Sequence, residues 1–117
     1  MTGTVRQTRN GAVMRLSIDA PPVNALGAAV RAGLAEGLAA ALADPSVGAI
    51  VLCATGSTFS AGADIREFGR PAPPGVPGLP ELCNRIEASG KAVVAALQGA
   101  ALGGGLELAL AAHVRLA

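Results

Sequence analysis

Ala49-Ile50-Val51-Leu52-Cys53-Ala54 is an unbroken apolar run. It predicts a strand covered on both faces, as parallel sheets require. Upstream, Leu26, Val30, Leu34, Leu38 and Leu42 recur at every fourth position. That spacing predicts an amphipathic helix from about residue 27 to 43, closed by Asp44-Pro45. Earlier still, Met14, Leu16 and Ile18 alternate with Arg15, Ser17 and Asp19. The alternation predicts a strand over 12–18, ended by Pro21-Pro22. Strand, helix and buried strand in that order make a crossover unit. Asn10-Gly11 is a two-residue hairpin signal, joining 12–18 to a strand over 4–8.

The same plan recurs downstream. A loop of small residues runs from Thr55 to Ala63, and Asp64 and Glu67 have the spacing of a capping box opening a short helix. Residues 71–80 carry five of the eight prolines and predict a loop. A helix over 79–89 follows, and Lys91-Ala92-Val93-Val94-Ala95-Ala96-Leu97 predicts a second buried strand. The chain then passes through Gln98-Gly99 and Gly103-Gly104-Gly105 into a helix over about 104–112, and Val114-Arg115-Leu116-Ala117 opens another strand. The fold class is therefore α/β, parallel buried strands with crossover helices, in one small domain over 1–117. The small-residue loops 57–64 and 98–105 should lie side by side at the carboxyl ends of the strands, where parallel sheets bind ligands.

Composition narrows the function. Hydrophobic residues are 51% of the chain, aromatic residues 2% and charged residues 15%, the last below the roughly 25% usual in soluble domains. Much of the surface should be covered by further sequence or by other subunits. The net charge is +1 with no Lys/Arg stripe, which argues against a nucleic-acid partner. Cys53 and Cys83 sit in apolar surroundings and read as core residues in a reducing compartment. The N-terminus has no apolar signal-peptide region, so a cytoplasmic location is expected. Residues 92–112 contain only Glu107 as a charge, with Gly99 and Gly103 at GxxxG spacing. Against a membrane reading stand Gln98, Glu107 and the triple glycine.

The glycine-rich loops fit no phosphate-binding motif. GxGxxG is absent, and Ser89-Gly90-Lys91 lacks the flanking residues of a P-loop. Thr58-Phe59-Ser60-Ala61-Gly62 misses a nucleophile elbow at its first position. No His, Cys or carboxylate pair has metal-ligand spacing. What remains is presentation of backbone N–H groups: two such loops can direct one N–H each at a single oxygen, an oxyanion hole. Tight strand–helix packing through Gly103 to Gly105 is the competing explanation. Glu107 sharpens the first. Its neighbours on a helix face are Gly103, Gly104, Leu110 and Ala111, none able to pair with it, so the expectation is a buried functional carboxylate. A first-turn glutamate favoured by the helix dipole is the alternative. Asp64 reads as an N-cap, His113 as a helix-end or surface residue, and Arg66 and Arg70 as solvated.

Phe59-Ser60-Ala61-Gly62-Ala63-Asp64-Ile65, with Gln98-Gly99-Ala100-Ala101-Leu102-Gly103-Gly104-Gly105-Leu106-Glu107-Leu108-Ala109, resembles the crotonase (enoyl-CoA hydratase/isomerase) superfamily. Pro22-Val23-Asn24-Ala25-Leu26 fits as well, and the wording is similar to the N-terminal part of multifunctional fatty-acid oxidation enzymes. The resemblance implies a crotonase-like ββα spiral, here its N-terminal half. It implies an oxyanion hole from the N–H groups of Ala63 and Gly104, and Glu107 as general base. Val23, Ala25, Ala61, Asp64, Ile65 and Gly103 would bind coenzyme A or substrate. The implied reaction is hydration of a 2-trans-enoyl-CoA in β-oxidation, with no cofactor beyond the coenzyme A of the substrate. A second glutamate lies further along in the family, beyond residue 117. The implied partners are an acyl-CoA and either copies of the chain in a trimer-based assembly or the rest of a longer multifunctional chain. Isomerisation, decarboxylation or thioester hydrolysis on the same fold, or a catalytically incomplete module, are the alternatives.

Overall fold

The computed structural model describes residues 3–117. Strands β1 (Thr4–Asn10) and β2 (Val13–Asp19) form an antiparallel hairpin. Asn10 pairs with Val13, so the turn is Gly11-Ala12 and not Asn10-Gly11. β1 is correspondingly two residues longer than expected. Helix α1 (Ala28–Ala43) crosses to β3 (Ala49–Ala54). A single 3-10 turn (Ile65–Glu67) and helix α2 (Leu79–Glu87) lead to β4 (Ala92–Ala96). Helix α3 (Gly104–Ala111) leads to β5 (Val114–Leu116). The five strands lie in sequence order, and β2 through β5 are parallel.

Register builds the core. Met14, Ile50 and Val93 are successive partners across the sheet, as are Leu16, Leu52 and Ala95. All six are buried. Burying each larger side chain among them contributes about 1.5–3 kcal/mol. The expectation that β3 and β4 are covered on both faces does not hold. Ile50 and Leu52 are buried, but Val51 and Cys53 are only half-buried, and β4 alternates in the same way. The side chains of alternate residues point to opposite faces, and one face alone is fully covered.

Along α1, Val30, Leu34, Gly37, Leu38 and Ala41 are buried, while Leu42 is 37% exposed. A strict four-residue repeat drifts about 40° per step against a 3.6-residue turn, so Leu42, the fifth residue of the series, has rotated off the core. Three side chains outside the helices satisfy terminal carbonyls of α1, α3 and α2 in turn. Lys91 Nζ donates to Ala41 O at 2.8 Å and Asp44 O at 2.6 Å. Arg115 Nη1 donates to Ala112 O at 2.8 Å. His113 accepts from the Val93 N–H at Nδ1 (3.0 Å), which leaves Nε2–H to donate to Glu87 O (3.1 Å). It ties β4 to the end of α2 and is more than the surface histidine its position suggests.

Candidate active site

The loops that follow β3 and β4 run side by side and extend the sheet beyond its strands. Phe59 N–H donates to Gln98 O (2.9 Å) and Ala100 O (3.0 Å), Leu102 N–H donates to Ser60 O (3.0 Å), and Ser60 and Ala101 form a parallel bridge. Two buried polar residues lock a third segment onto them. Asn24 Oδ1 accepts from Ala20 N–H (2.8 Å), and its Nδ2 donates to Thr55 O and Thr58 O (2.8 Å each). Ser60 Oγ donates to Asn24 O at 2.7 Å and accepts from Gly62 N–H at 3.1 Å. Neither residue was singled out from the sequence for this role. The available signal was a lone polar residue inside an otherwise apolar or small-residue stretch, since buried polar groups must be bonded.

These anchors direct two backbone amides. The carbonyl of Gly62 accepts from Leu26 N–H at 2.8 Å. In a trans peptide the C=O and the following N–H point in opposite directions, so this bond aims Ala63 N–H away from Leu26. The carbonyl of Gly103 accepts from Glu107 N–H at 3.0 Å, and by the same geometry Gly104 N–H points out of the N-terminal end of α3. Neither Ala63 N–H nor Gly104 N–H has an acceptor among the described residues. The two are neighbours: a Cβ placed on Gly104 would lie 3.6 Å from Ala63 N, and one on Gly62 would lie 3.0 Å from Gly104 N. Gly62 has φ +105°, a conformation L side chains rarely adopt, and Gly103 caps α3 with φ 50°.

A cleft opens on each side of this pair. Val23, Ala25, Ala61, Ala63, Asp64 and Ile65 line one of about 420 Å³. Glu107 lines the other, about 350 Å³, between α2 and α3, with Leu79, Cys83, Glu87 and Leu110. Gly104 adjoins both: a Cβ on it would meet Leu79 of the second cleft at 2.7 Å and the Ala63 nitrogen of the first at 3.6 Å. Five of the six residues expected to bind coenzyme A or substrate line the first cleft, Gly103 being the exception, and Glu107 lines the other.

The expectation that Glu107 is buried is overturned. Residue 107 is exposed, as are Leu106 and Leu110 beside it. Gly105, Leu108 and Ala109 form the inward stripe of α3, and residue 107 falls roughly 100° away from Leu108 on a 3.6-residue helix. Its carboxylate is nevertheless felt in the cleft: the Cys83 thiol is pushed up from its ordinary value of 9.0, first by burial and then by the charges of Glu107 and Glu87. On the other side, Asp64 caps the 3-10 turn by accepting from Arg66 N–H at 3.0 Å. Hydrogen bonding to the Arg66 side chain lowers its carboxyl below the ordinary 3.8. Arg66 is therefore paired rather than simply solvated. The capping box fails at its other end, because Glu67 turns away to accept from Ala28 N–H at 2.8 Å. No described helix is long and apolar enough to cross a membrane.

The enoyl-CoA hydratase/isomerase family pattern matches residues 8–117. The peroxisomal bifunctional enzyme of Danio rerio is 50% identical over 107 residues, covering 90% of this chain and 14% of that protein. A probable enoyl-CoA hydratase of Bacillus subtilis (strain 168) is 42% identical over 107 residues, 87% of this chain and 42% of that one. The solved enoyl-CoA hydratase from Polaromonas sp. JS666 superposes with a TM-score of 0.84 at 32% identity, covering 96% of this chain and 47% of that chain. The chain spans about half the length of such solved structures and a far smaller part of the bifunctional enzymes. Matched over nearly all of its length, in sequence and in fold, the chain belongs to the enoyl-CoA hydratase/isomerase family and has the crotonase fold.

Proposed function

We propose that this chain is the N-terminal half of a crotonase-like domain and supplies the thioester grip of an enoyl-CoA hydratase site. The observation that supports this best is the pair of amides, Ala63 and Gly104, that have no acceptor among the described residues and adjoin two clefts. Coenzyme A would lie along Val23, Ala25, Ala61, Asp64 and Ile65, mainly against backbone, and the acyl end would enter the cleft beside Glu107.

Water adds across the double bond of a 2-trans-enoyl thioester by attack at Cβ. The π electrons move through Cα onto the thioester oxygen, giving an enolate. Two N–H donors fixed before reaction stabilise that charge without reorganisation. Gly103 supports the grip by carrying the carbonyl that turns Gly104 N–H outward. Glu107 stands three residues after Gly104 on the same helix face, and helical side chains lean toward the N-terminus. Its carboxylate is the general base that takes the proton of the attacking water. The proton added at Cα comes from a group outside residues 1–117. Isomerisation, decarboxylation and thioester hydrolysis share the amide pair, but a carboxylate beside it favours addition of water or isomerisation. The only coenzyme in this reading is the coenzyme A of the substrate. The exposed Leu106 and Leu110 on one stripe of α3, with the exposed Leu102 just before the helix, suit cover by further chain or by another copy in a trimer-based assembly. The two free thiols suit a reducing compartment such as the cytoplasm, whereas several relatives are named peroxisomal.

The test is Glu107→Gln in the full-length protein. Hydration of crotonyl-CoA should be lost while binding of the CoA ester persists, and unchanged turnover would remove Glu107 from the mechanism. The 117-residue chain alone should show little hydration.

A further inference from the structure

Resting on that reading of the amide pair, we propose that Arg31 and Glu67 are positioning residues that aim the Ala63 N–H at the thioester oxygen. Both residues line a further cleft of about 410 Å³ that Ala63 and Asp64 share, and neither is among the residues placed above along coenzyme A or beside Glu107. Arg31 is nearly buried, its side chain 12% exposed, and Glu67 is 35% exposed. The Arg31 guanidinium makes three contacts that join three separate segments. Its Nη1 donates to Leu26 O at 2.8 Å and to Glu67 Oε1 at 3.3 Å, and its Nε donates to Pro77 O at 2.9 Å. The other oxygen of Glu67 accepts from Ala28 N–H, the first amide of α1.

This network closes around the peptide that matters. Leu26 N–H holds the Gly62 carbonyl at 2.8 Å, and the Gly62–Ala63 peptide plane directs Ala63 N–H the opposite way. Leu26 is therefore gripped at both ends, by Gly62 through its N–H and by Arg31 through its carbonyl. Glu67 lies at the far end of the 63–67 segment and fixes it to α1. The segment bearing the amide is thus pinned on either side of Ala63, to one helix terminus, through one ion pair.

Helix capping by itself accounts for only part of this. The α1 N-cap is Gly27, which offers no side-chain acceptor, so a capping carboxylate from elsewhere is useful there. It does not require the arginine to hold Leu26 O and Pro77 O as well. The pairing has a further consequence for an enolate: the negative charge of Glu67 is neutralised by Arg31, not left facing the oxygen that becomes negative.

The experiment compares wild type, Glu67→Gln, Arg31→Lys and the double variant in the full-length protein, with crotonyl-CoA labelled with carbon-13 at the thioester carbonyl. Three quantities are read: kcat, KM and the carbonyl stretch of the bound ester. A positioning role predicts that kcat falls by about ten- to hundredfold while KM stays within about threefold. The bound carbonyl stretch should move back toward its free value. The double variant should lose little more than the worse single variant, as members of one network do. Glu67→Gln is near-isosteric and half-exposed, so it carries the test if Arg31→Lys fails to fold. A lowered melting temperature with kcat and carbonyl stretch unchanged would reduce the pair to a helix cap and overturn the proposal. An unshifted carbonyl in the wild type would instead overturn the amide reading on which the proposal rests.

Discussion

Gly104→Pro removes one backbone donor and puts the proline Cδ in its place. Gly104 is the first residue of α3, where helical φ near −65° is already the proline value and a missing N–H breaks no intrahelical bond. Its N–H has no acceptor within the described chain, so the fold loses no hydrogen bond. The added Cβ would meet Leu79 Cδ2 at 2.7 Å, the far end of a flexible side chain. Gly104→Ala meets the same atom and keeps the N–H, so it is the matched control. Both variants also restrict the unfolded chain, a gain of about 0.4–1 kcal/mol that offsets the Leu79 shift. The pair should therefore melt within a few degrees of wild type. Removing one oxyanion donor costs about 2.7–4 kcal/mol of transition-state stabilisation, or roughly 10²–10³ in kcat. Crotonyl-CoA hydration by the full-length protein, followed through loss of the conjugated enoyl absorbance, should fall by at least that factor from Gly104→Ala to Gly104→Pro, because the proline Cδ also crowds the oxygen. Equal turnover in the two folded variants would show that this amide does not hold the thioester oxygen.

Two further outcomes test the surroundings. Gly105→Ala would drive a Cβ into the Ser60 carbonyl oxygen, and an overpacking cost of about 1–3 kcal/mol should outweigh the ~1 kcal/mol helix gain; thermal melting should drop, and an unchanged or raised midpoint would mean the loops are not in contact. Burial and the charges of Glu107 and Glu87 raise the Cys83 thiol above 9.0, so its thiolate fraction at pH 8–9 is below that of an ordinary cysteine. Its alkylation profile should sit at higher pH and move down in Glu107→Gln, and a profile indifferent to that change would place the carboxylate away from α2.

Secondary structure was legible because each element repeats its own period. The apolar run 49–54 appears as expected, and the helix expected over 27–43 and the strand expected over 12–18 appear within one residue, at 28–43 and 13–19, since local burial patterns follow from backbone geometry. The adjacency of the two small-residue loops was legible too, because parallel neighbours leave their carboxyl-end loops together. Glu67 shows the opposite case. Its capping-box spacing with Asp64 is correct as a pattern, yet the carboxylate caps a helix 39 residues earlier in the chain. Spacing rules describe neighbours in sequence, whereas a half-buried carboxylate takes whichever donors the packing brings nearest.

By itself, then, the order of residues determined the element types, the crossover topology and the family, since periodicity and motif are properties of the chain. Only the tertiary structure decided that Glu107 faces an open cleft, that one sheet face is incompletely covered, and that Asn24, Ser60, Arg31 and Glu67 hold the amide-bearing loop. Exposure and hydrogen-bond partnership depend on what other segments occupy the space around a side chain, and those segments are distant in sequence.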